Sequence, residues 1–313
     1  MTEMQLMLFQ EYKFSSTNSK KAKPFLKWAG GKTQILSEID KRLPRELKNG
    51  KKMRYIEPFV GSGAVLFHLL SNYNIEKAYI IDINENLINL YKVIKNNVCD
   101  LIEYLKILER KFLNSNGEER KKIYYSKRKE FNKLKNNKIK KAALLIFLNR
   151  TCYNGLYRVN SKGEFNVPFG RYKNPKILDE ENLINVSLAL KNVEILCDDF
   201  EISKNFIDEN TFVYIDPPYR PLSNTSNFTS YFNNTFDDNE QIRLKNFFDF
   251  ITNKGAKILL SNSDPKNTDP NDNFFDELYK NYIIERILAK RMINSKGSKR
   301  GYIYELLIRN YYE

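Results

Sequence analysis

Histidine is almost absent from this sequence. His68 is the single histidine among 313 residues, and it lies in the run VLFHLL, which is typical of one turn of a packed helix. A Ser-His-Asp or Cys-His catalytic group would depend on this one residue, and a histidine-based zinc site would lack ligands. The sequence therefore predicts no metal site, and it predicts chemistry carried by carboxylates, amides, aromatic rings and backbone.

Cysteines and long apolar runs are also scarce. Cys99, Cys152 and Cys197 are far apart and form no CxxC pair, so neither a disulfide framework nor a zinc site is expected, and a reducing compartment fits. The longest apolar run, from Ala142 to Leu148, is too short to span a bilayer. The first residues lack the pattern of a secretory signal. We therefore expect a cytoplasmic protein with no membrane contact.

Acidic residues are too few to balance the basic ones. The chain carries 52 Lys and Arg against 38 Asp and Glu, a net charge of +14. Such an excess favours a polyanionic partner, because Lys and Arg release condensed counterions from nucleic acid. An abundance of Lys, Asn and Ile is also typical of proteins from AT-rich genomes. Charge alone leaves both interpretations open.

The chain begins with an alternation of strands and helices. Residues 54–60 and 78–83 have the pattern of buried strands, and residues 64–73 and 86–97 have that of helices. This alternation indicates a parallel sheet.

Lys- and Glu-rich helical periodicity then replaces the strands over residues 101–190, after which buried strands return. The returning strands end in an antiparallel hairpin and are predicted at residues 193–197, 211–216, 256–262, 283–293 and 302–310. We expect an α/β domain split into residues 1–100 and 191–313 by a mainly helical insertion, residues 101–190. The turn-rich segment 221–236 predicts a mobile loop.

A glycine turn joins the first strand to the first helix. It consists of Glu57, Pro58, Phe59 and Val60, followed by Gly61-Ser62-Gly63, and its glycines let the backbone approach a ligand at a helix N-terminus. Asp82 follows Gly61 by 21 residues, the spacing of a carboxylate that binds ribose hydroxyls. Position 66 is Leu, so the GxGxxG fingerprint is incomplete. The pattern favours a nucleoside-containing cofactor without a pyrophosphate over NAD.

A second turn, Asp216-Pro217-Pro218-Tyr219, directly follows a strand. Ligands of parallel sheets bind at the carboxyl ends of strands. The stiff proline pair fixes a carboxylate, a carbonyl and an aromatic ring, which suit a planar base that carries an amine. Two N–H bonds can go to Asp216 and the Pro217 carbonyl, and the base can stack on Tyr219.

The segment FLKWAGGKT near the N-terminus contains a Gly-Lys-Thr sequence. A phosphate-binding loop needs glycine at position 26, where this chain has Leu, so an ATPase is disfavoured. The remaining features are Trp28, a Gly-Gly turn and Lys32 at a helix start, which could close over a small zwitterionic ligand.

Taken together, these motifs resemble the Dam-like DNA adenine methyltransferases, the α-class amino-methyltransferases, which include GATC-modifying enzymes of restriction–modification systems. The resemblance covers Pro24 to the C-terminus and rests on FLKWAGGK, EPFVGSG, DIN, DPPY and NRTCYNGLYRVNSKGEFNVPFG, in the family's order. It implies a Rossmann-like fold, S-adenosylmethionine as cofactor and double-stranded DNA as partner. The sequence gives no sign of an obligate protein partner, and a monomer is compatible with it.

The resemblance also implies residue roles. The cofactor would contact the FLKWAGGK segment, the glycine turn, two strand ends and residues 198–200. The residues are Trp28, Lys32, Glu57, Pro58, Phe59, Gly61, Gly63, Asp82, Asp198, Asp199, Phe200 and Asp216. Which aspartate of Asp198 and Asp199 faces it stays open. The catalytic motif would be Asp216, Pro217, Pro218 and Tyr219.

The segment Asn149 to Arg171 resembles the family's DNA-reading segment. The positions that would contact the duplex are Tyr153, Asn154, Leu156, Arg158, Pro168 and Arg171. The glycines of this segment equally indicate a plain turn, and both interpretations can hold. In the mechanism we expect, the adenine leaves the duplex and stacks on Tyr219, while Asp216 and the Pro217 carbonyl bond its amine.

Three alternatives stay open from the residues. The amine could belong to cytosine N4. The substrate could be RNA or a protein glutamine, since related PPY motifs serve planar amides. The chain could also be a DNA-binding module that has lost catalysis.

Overall fold

The computed structural model describes residues 21–220, 236–290 and 302–312. The loop predicted at residues 221–236 therefore lies outside the described residues, apart from Phe236.

Seven strands form one mixed sheet, in the order β3-β2-β1-β4-β5-β7-β6. The strands are β1 (Met53–Glu57), β2 (Ile75–Asp82), β3 (Val193–Cys197), β4 (Thr211–Ile215), β5 (Lys257–Ser263), β6 (Ile283–Lys290) and β7 (Tyr302–Arg309). β1 pairs in parallel with β2 and β4, and β4 with β5, whereas β7 runs antiparallel to β5 and β6. The predicted fold class, a mostly parallel sheet with a terminal antiparallel hairpin, is confirmed.

Ten α-helices are present in the described part of the chain. They are α1 (Leu36–Lys41), α2 (Arg45–Lys48), α3 (Ala64–Asn72), α4 (Glu85–Asn96), α5 (Val98–Leu113), α6 (Gly117–Lys133), α7 (Lys138–Thr151), α8 (Glu180–Ala189), α9 (Asp238–Asn253) and α10 (Phe274–Leu278). Side-chain caps fix where several begin: Asn84 accepts two backbone N–H bonds at the start of α4, and Asn116 forms a capping box with Glu119 at the start of α6. Within the described residues, no helix is long and apolar enough to cross a membrane.

The chain divides into two compact units. The first unit comprises Met1–Gly31, Gly61–Phe67 and Ile83–Cys197, and the second comprises Lys32–Val60, His68–Asp82 and Asp198–Glu313. The insertion boundaries at residues 101–190 stay a prediction.

Each unit has its own core. In the first unit, α7 is buried along its whole apolar run, residues 142–148, so the longest apolar stretch of the sequence is a core helix and packs against α4, α5 and α6. In the second unit, the adjacent strands β1, β4 and β5 form the centre, where β4 is buried along its entire length. A strand buried on both faces is typical of a parallel sheet covered by helices. This central strand places the turn that follows it at the carboxyl edge of the sheet.

Candidate active site

Asp216 follows β4 and forms an ion pair with a buried lysine. Lys32 Nζ lies 2.8 Å from Asp216 Oδ1, and the Ser261 hydroxyl donates to the same oxygen at 3.2 Å. Burial raises the pKa of the Asp216 carboxyl, and Lys32 and Ser261 offset only part of that rise. Burial disfavours the charged Lys32 ammonium, but the charge of Asp216 and its neighbours outweighs it, so the pKa of Lys32 is raised. Lys32 therefore stays charged, and it favours the carboxylate form of Asp216.

Tyr219 is hydrogen-bonded through its hydroxyl but is partly exposed. Its hydroxyl accepts a hydrogen bond from Lys32 Nζ at 2.9 Å and donates one to Glu305 Oε1 at 3.1 Å. Even so, 37% of the residue is exposed. An aromatic residue that is held at its hydroxyl end and is partly exposed can offer a ring to a planar ligand.

The second proline of the turn, Pro218, is hydrogen-bonded by a buried amide side chain. Gln241 on α9 donates to the Pro218 carbonyl at 3.2 Å, and Asn262 on β5 donates to Gln241 at 3.3 Å. Within the described chain, the Pro217 carbonyl accepts no hydrogen bond. The Pro218 carbonyl is thus held by the fold. The Pro217 carbonyl can accept a hydrogen bond from a ligand.

Two carboxylates predicted to contact a cofactor also lie in the second unit. Glu57 ends β1, is 3% exposed and accepts a hydrogen bond from the Tyr55 hydroxyl at 2.7 Å. Asp82 ends the neighbouring strand β2 and is half-buried. Since β1 and β2 pair in parallel, their carboxyl ends bring both acids to the same edge of the sheet.

The glycine turn and Trp28 pack together within the first unit. A Cβ atom on Gly61 would lie 3.1 Å from the Trp28 ring, and one on Gly63 would lie 2.6 Å from the Tyr91 hydroxyl. Both glycines also have positive φ, +48° and +73°, which disfavours any other residue. Trp28 stacks on Tyr157, with ring centroids 5.2 Å apart. The glycines are therefore required both for the turn and for close approach of these rings.

The structure distinguishes Asp198 from Asp199. Asp199 caps the short 3-10 turn Phe200–Phe206 by accepting from the Glu201 N–H, and its two oxygens accept from Arg243 at 2.9 and 2.8 Å. Burial raises the pKa of Asp199, but the Arg243 and backbone bonds outweigh burial and lower it. Asp198 is exposed, and its carboxylate accepts a hydrogen bond from the Asp199 N–H at 2.7 Å. Asp199 is thus committed to the fold, and Asp198 is the more accessible acid.

The predicted DNA-reading segment is an irregular hairpin within the first unit. Antiparallel bridges join Cys152 to Phe169 and Val159 to Phe165. Five of the six predicted contact residues are exposed and the sixth, Leu156, is half-buried: Tyr153, Asn154, Arg158, Pro168 and Arg171. The hairpin therefore turns these side chains toward solvent.

Three residues of α6, spaced four apart, hold the backbone of that hairpin. The Tyr124 hydroxyl donates to Val167 O at 2.7 Å, and Arg128 donates to the same oxygen at 3.1 Å. The Asn132 amide bonds both N–H and C=O of Phe165, at 2.9 and 3.0 Å. Sequence reasoning missed this role, although the four-residue spacing that puts the three on one helix face could have indicated it. α6 is thus a support for the hairpin.

The basic run from Arg120 to Lys141 is not one uniform surface. Lys127 and Lys140 bind Glu130, at 2.7 and 2.5 Å, and the Lys141 ammonium caps the backbone of Phe131 and Leu134, where burial lowers its pKa. The exposed lysines of the run are Lys121, Lys122, Lys129, Lys133, Lys135 and Lys138. The lysines of the run therefore fall into a group that is engaged with other groups of the protein and a group that is exposed.

His68 contacts a carboxylate, and the Cys152 thiol is buried. His68 Nε2 lies 2.5 Å from Asp40 Oδ1, an ion-pair geometry on the partly exposed side of α3. Burial raises the pKa of the Cys152 thiol to about 12, so it is no thiolate at neutral pH. Among the described residues, no group of three or more His, Cys, Asp or Glu could hold a metal ion.

Comparison with known proteins places the chain in one family. Residues 28–293 match the family described as D12 class N6 adenine-specific DNA methyltransferase. The chain is 59% identical over 292 residues to Type II methyltransferase M.MjaIII of Methanocaldococcus jannaschii, covering 92% of this chain and 99% of the relative. It is 39% identical over 295 residues to Type II methyltransferase M1.LlaDCHI of Lactococcus lactis, covering 92% and 95%. It is 36% identical over 289 residues to the DNA adenine methylase of Escherichia coli K12, again covering 92% and 95%.

Proposed function

Because this chain belongs to the D12 class of N6 adenine-specific DNA methyltransferases, we propose that it methylates adenine N6 in the double-stranded sequence GATC. The observation that carries the proposal is the pairing of Asp216 with Lys32 at 2.8 Å beside Tyr219, which is 37% exposed. A buried carboxylate that is paired with a lysine, next to a partly exposed aromatic residue, suits a planar base with an amine. The family implies S-adenosylmethionine as the methyl donor, which supplies an electrophilic methyl group on sulfur.

The chain's residues fit that cofactor. Glu57 and Asp82 are carboxylates at neighbouring strand ends, suited to an ammonium group and to ribose hydroxyls. Gly61 permits the close approach of the Trp28 ring, which a Cβ would obstruct. We assign cofactor binding to these residues with Trp28 and Lys32, and we assign the accessible Asp198, rather than Asp199, to the remaining polar contact.

The proposed mechanism relies on orientation and electrostatics. Tyr219 stacks on the extruded adenine, a contact that contributes about 1–3 kcal/mol. The Asp216 carboxylate and the Pro217 carbonyl each accept one N–H of the amine and so favour its pyramidal form, in which the lone pair is exposed. Lys32 holds Asp216 in the acceptor state, and Ser261 and Gln241 keep the turn rigid. A fixed acceptor pair stabilises the developing charge without reorganisation.

We assign sequence reading to the hairpin of the insertion, residues 101–190. Arg158 is exposed, and its Nε donates to Asn166 Oδ1 at 2.7 Å, which directs the planar guanidinium. Such a group can make two hydrogen bonds to guanine O6 and N7 in the major groove. Leu156 and Pro168 offer apolar surface for a thymine methyl. We further propose protection of host DNA in a restriction–modification system, since two of the relatives are named Type II methyltransferases.

A methyl-transfer assay tests the proposal. Purified protein is incubated with S-adenosylmethionine carrying a labelled methyl group and with duplexes that contain one GATC or one GTAC site, and the nucleosides are identified by mass spectrometry. We expect N6-methyladenine in the GATC duplex alone, and loss of most transfer in Asp216→Ala with DNA affinity kept within a few-fold. N4-methylcytosine, or equal labelling of both duplexes, would refute the substrate or the site, respectively. Loss of DNA binding equal to the loss of turnover in Asp216→Ala would refute the role of Asp216.

A further inference from the structure

A second carboxylate, Glu305 of β7, lies beside the Lys32–Asp216 pair. Its Oε1 accepts the hydrogen bond of the Tyr219 hydroxyl at 3.1 Å, and its Oε2 lies 3.8 Å from Lys32 Nζ. Glu305 is only 8% exposed. The sequence offered one signal for it, an acid between Tyr304 and Leu306 in an otherwise apolar part of the final strand.

Stability does not account for a carboxylate at this position. Lys32 already has Asp216 as its ion-pair partner, so the cluster of one ammonium and two carboxylates carries an excess of buried negative charge if both are ionised. Desolvating a carboxylate is costly, and an apolar residue of similar size is often as stable or more stable. Among the described residues, Glu305 Oε2 also accepts no hydrogen bond, whereas buried polar atoms that serve only the fold are nearly always satisfied.

The hydrogen bond that the Glu305 carboxylate accepts leads to the aromatic ring of the proposed catalytic turn. The Tyr219 hydroxyl sits between Lys32 as donor and Glu305 as acceptor. Two bonds from different elements fix the hydroxyl oxygen in space, and with it the plane and tilt of the ring. Burial raises the pKa of Glu305, Lys32 opposes that rise, and the neighbouring Asp216 adds to it. The position is therefore an unfavourable one for a carboxylate.

We propose that Glu305 is a positioning residue that holds the Tyr219 ring, through its hydroxyl, in the orientation that stacks on the target adenine. This inference rests on the proposed function. Glu305 acts through Tyr219 and does not itself touch the base.

A double-mutant cycle tests the proposal, with Glu305→Leu, Tyr219→Phe and the double variant. Single-turnover methyl transfer is measured at saturating cofactor and DNA, and base stacking is followed by the fluorescence of 2-aminopurine at the target position. We expect each single variant to lose about 10- to 100-fold in the transfer rate, as for one hydrogen bond to a charged group. The double variant should lose no more than Tyr219→Phe alone, because phenylalanine already lacks the hydroxyl that Glu305 holds. The part of the 2-aminopurine signal that reports stacking should be smaller in all three variants.

Two further variants separate positioning from folding. Glu305→Gln keeps an oxygen that can accept from Tyr219 and should retain a rate within about three-fold of wild type, whether or not Glu305→Leu folds. Glu285→Gln is the matched control on the neighbouring strand β6, where Glu285 pairs with Arg42 and Arg309. It should lower the melting temperature without changing the stacking signal.

The outcomes separate this inference from the proposed function. Multiplied losses in the double variant, or a Glu305→Gln rate as low as that of Tyr219→Phe, would overturn the role of Glu305 while wild-type methylation stands. Absence of N6-methyladenine with the wild-type protein would instead overturn the proposed function.

Discussion

The Lys32 ammonium and the Asp216 carboxylate lie 2.8 Å apart, although the two residues are far apart in the sequence. Lys32 begins the 3-10 turn Lys32–Ile35, and Asp216 follows β4. Burial raises the pKa of Asp216, and Lys32 opposes that rise, so removal of the lysine should raise the pKa of the proposed acceptor further. The pH dependence of catalysis should therefore depend on Lys32.

Lys32→Met should shift the acidic limb of the pH–rate profile to higher pH. Removing the ammonium raises the pKa of Asp216 further, and a protonated carboxyl is a poor acceptor for the amine, so the rate falls at neutral pH and recovers as pH rises. On that limb, a pKa that is higher by about 1 lowers the rate about ten-fold. Single-turnover rates between about pH 5.5 and 9.5 measure it. Lys245→Met, which removes a lysine paired with Asp249 on α9, is the control, and an unshifted limb in Lys32→Met would contradict the role of the pair.

Asp82→Ala should weaken cofactor binding by about 10- to 100-fold, since hydrogen bonds to a carboxylate contribute about 1.5–3 kcal/mol. The transfer rate at saturating cofactor should change little, because the proposed partners of Asp82 are ribose hydroxyls, distant from the transferred methyl. Calorimetric titration with S-adenosylmethionine gives the dissociation constant. Asp208→Ala, which removes an acid paired with Arg54 before β4, controls for general loss of charge. An unchanged dissociation constant in Asp82→Ala would remove Asp82 from the cofactor site.

Neutralising Lys133, Lys135 and Lys138 should weaken binding to all DNA sequences alike. These three ammonium groups are exposed, and phosphate contacts carry no base information. The slope of log affinity against log salt should flatten by about 0.9 for each phosphate that the protein no longer neutralises. Neutralising Lys127 and Lys140, whose charges are paired with Glu130, should leave the slope unchanged. If both sets behave alike, the run is only a solvated helix face.

Asn132→Ala should loosen the reading hairpin and relax site preference. The change leaves the N–H and C=O of Phe165 without their side-chain partner, at a cost of about 1–3 kcal/mol. We expect faster methylation of near-cognate duplexes relative to GATC, with the transfer rate at GATC reduced less than discrimination. Lys129→Ala, a change of an exposed side chain on the same helix α6, should leave discrimination intact. Equal discrimination by both variants would show that the hairpin needs no support from Asn132.

Arg158→Ala should relax the preference at the outer base pair of the site without abolishing chemistry. Losing a bidentate contact costs about 1–3 kcal/mol of discrimination. Asn166→Ala, which frees the Arg158 guanidinium from its 2.7 Å hydrogen bond, should change preference in the same direction by a smaller amount. Competition between duplexes that differ only at the outer pair measures both. Unchanged preference in Arg158→Ala would assign that base pair to another residue.

The insertion shows where sequence reasoning was incomplete. From the sequence alone, the lysines between Lys133 and Lys141 could form a DNA-binding surface or a solvated helix face. The structure instead engages Lys140 with Glu130 and directs Lys141 to the backbone of Phe131. The sequence does not indicate whether the ammonium group of a helical lysine is solvated or bound to a carbonyl, because the flexible side chain can reach either.

The sequence by itself determined the order of the elements and the chemistry of the turns. Periodicity fixed the strands and helices because buried faces repeat every two or about 3.6 residues. The two glycine positions 61 and 63 and the DPPY turn can be interpreted from the local sequence. The backbone freedom of glycine and the stiffness of proline are properties of the residues themselves.

Only the tertiary structure decided which side chains from distant segments meet. It brought Lys32 to Asp216, put Glu305 of the last strand against the Tyr219 hydroxyl, and committed Asp199 to Arg243 while leaving Asp198 exposed. These pairings join residues across dozens to hundreds of positions, and their energies depend on burial and distance. Periodicity and spacing along the chain do not encode either quantity.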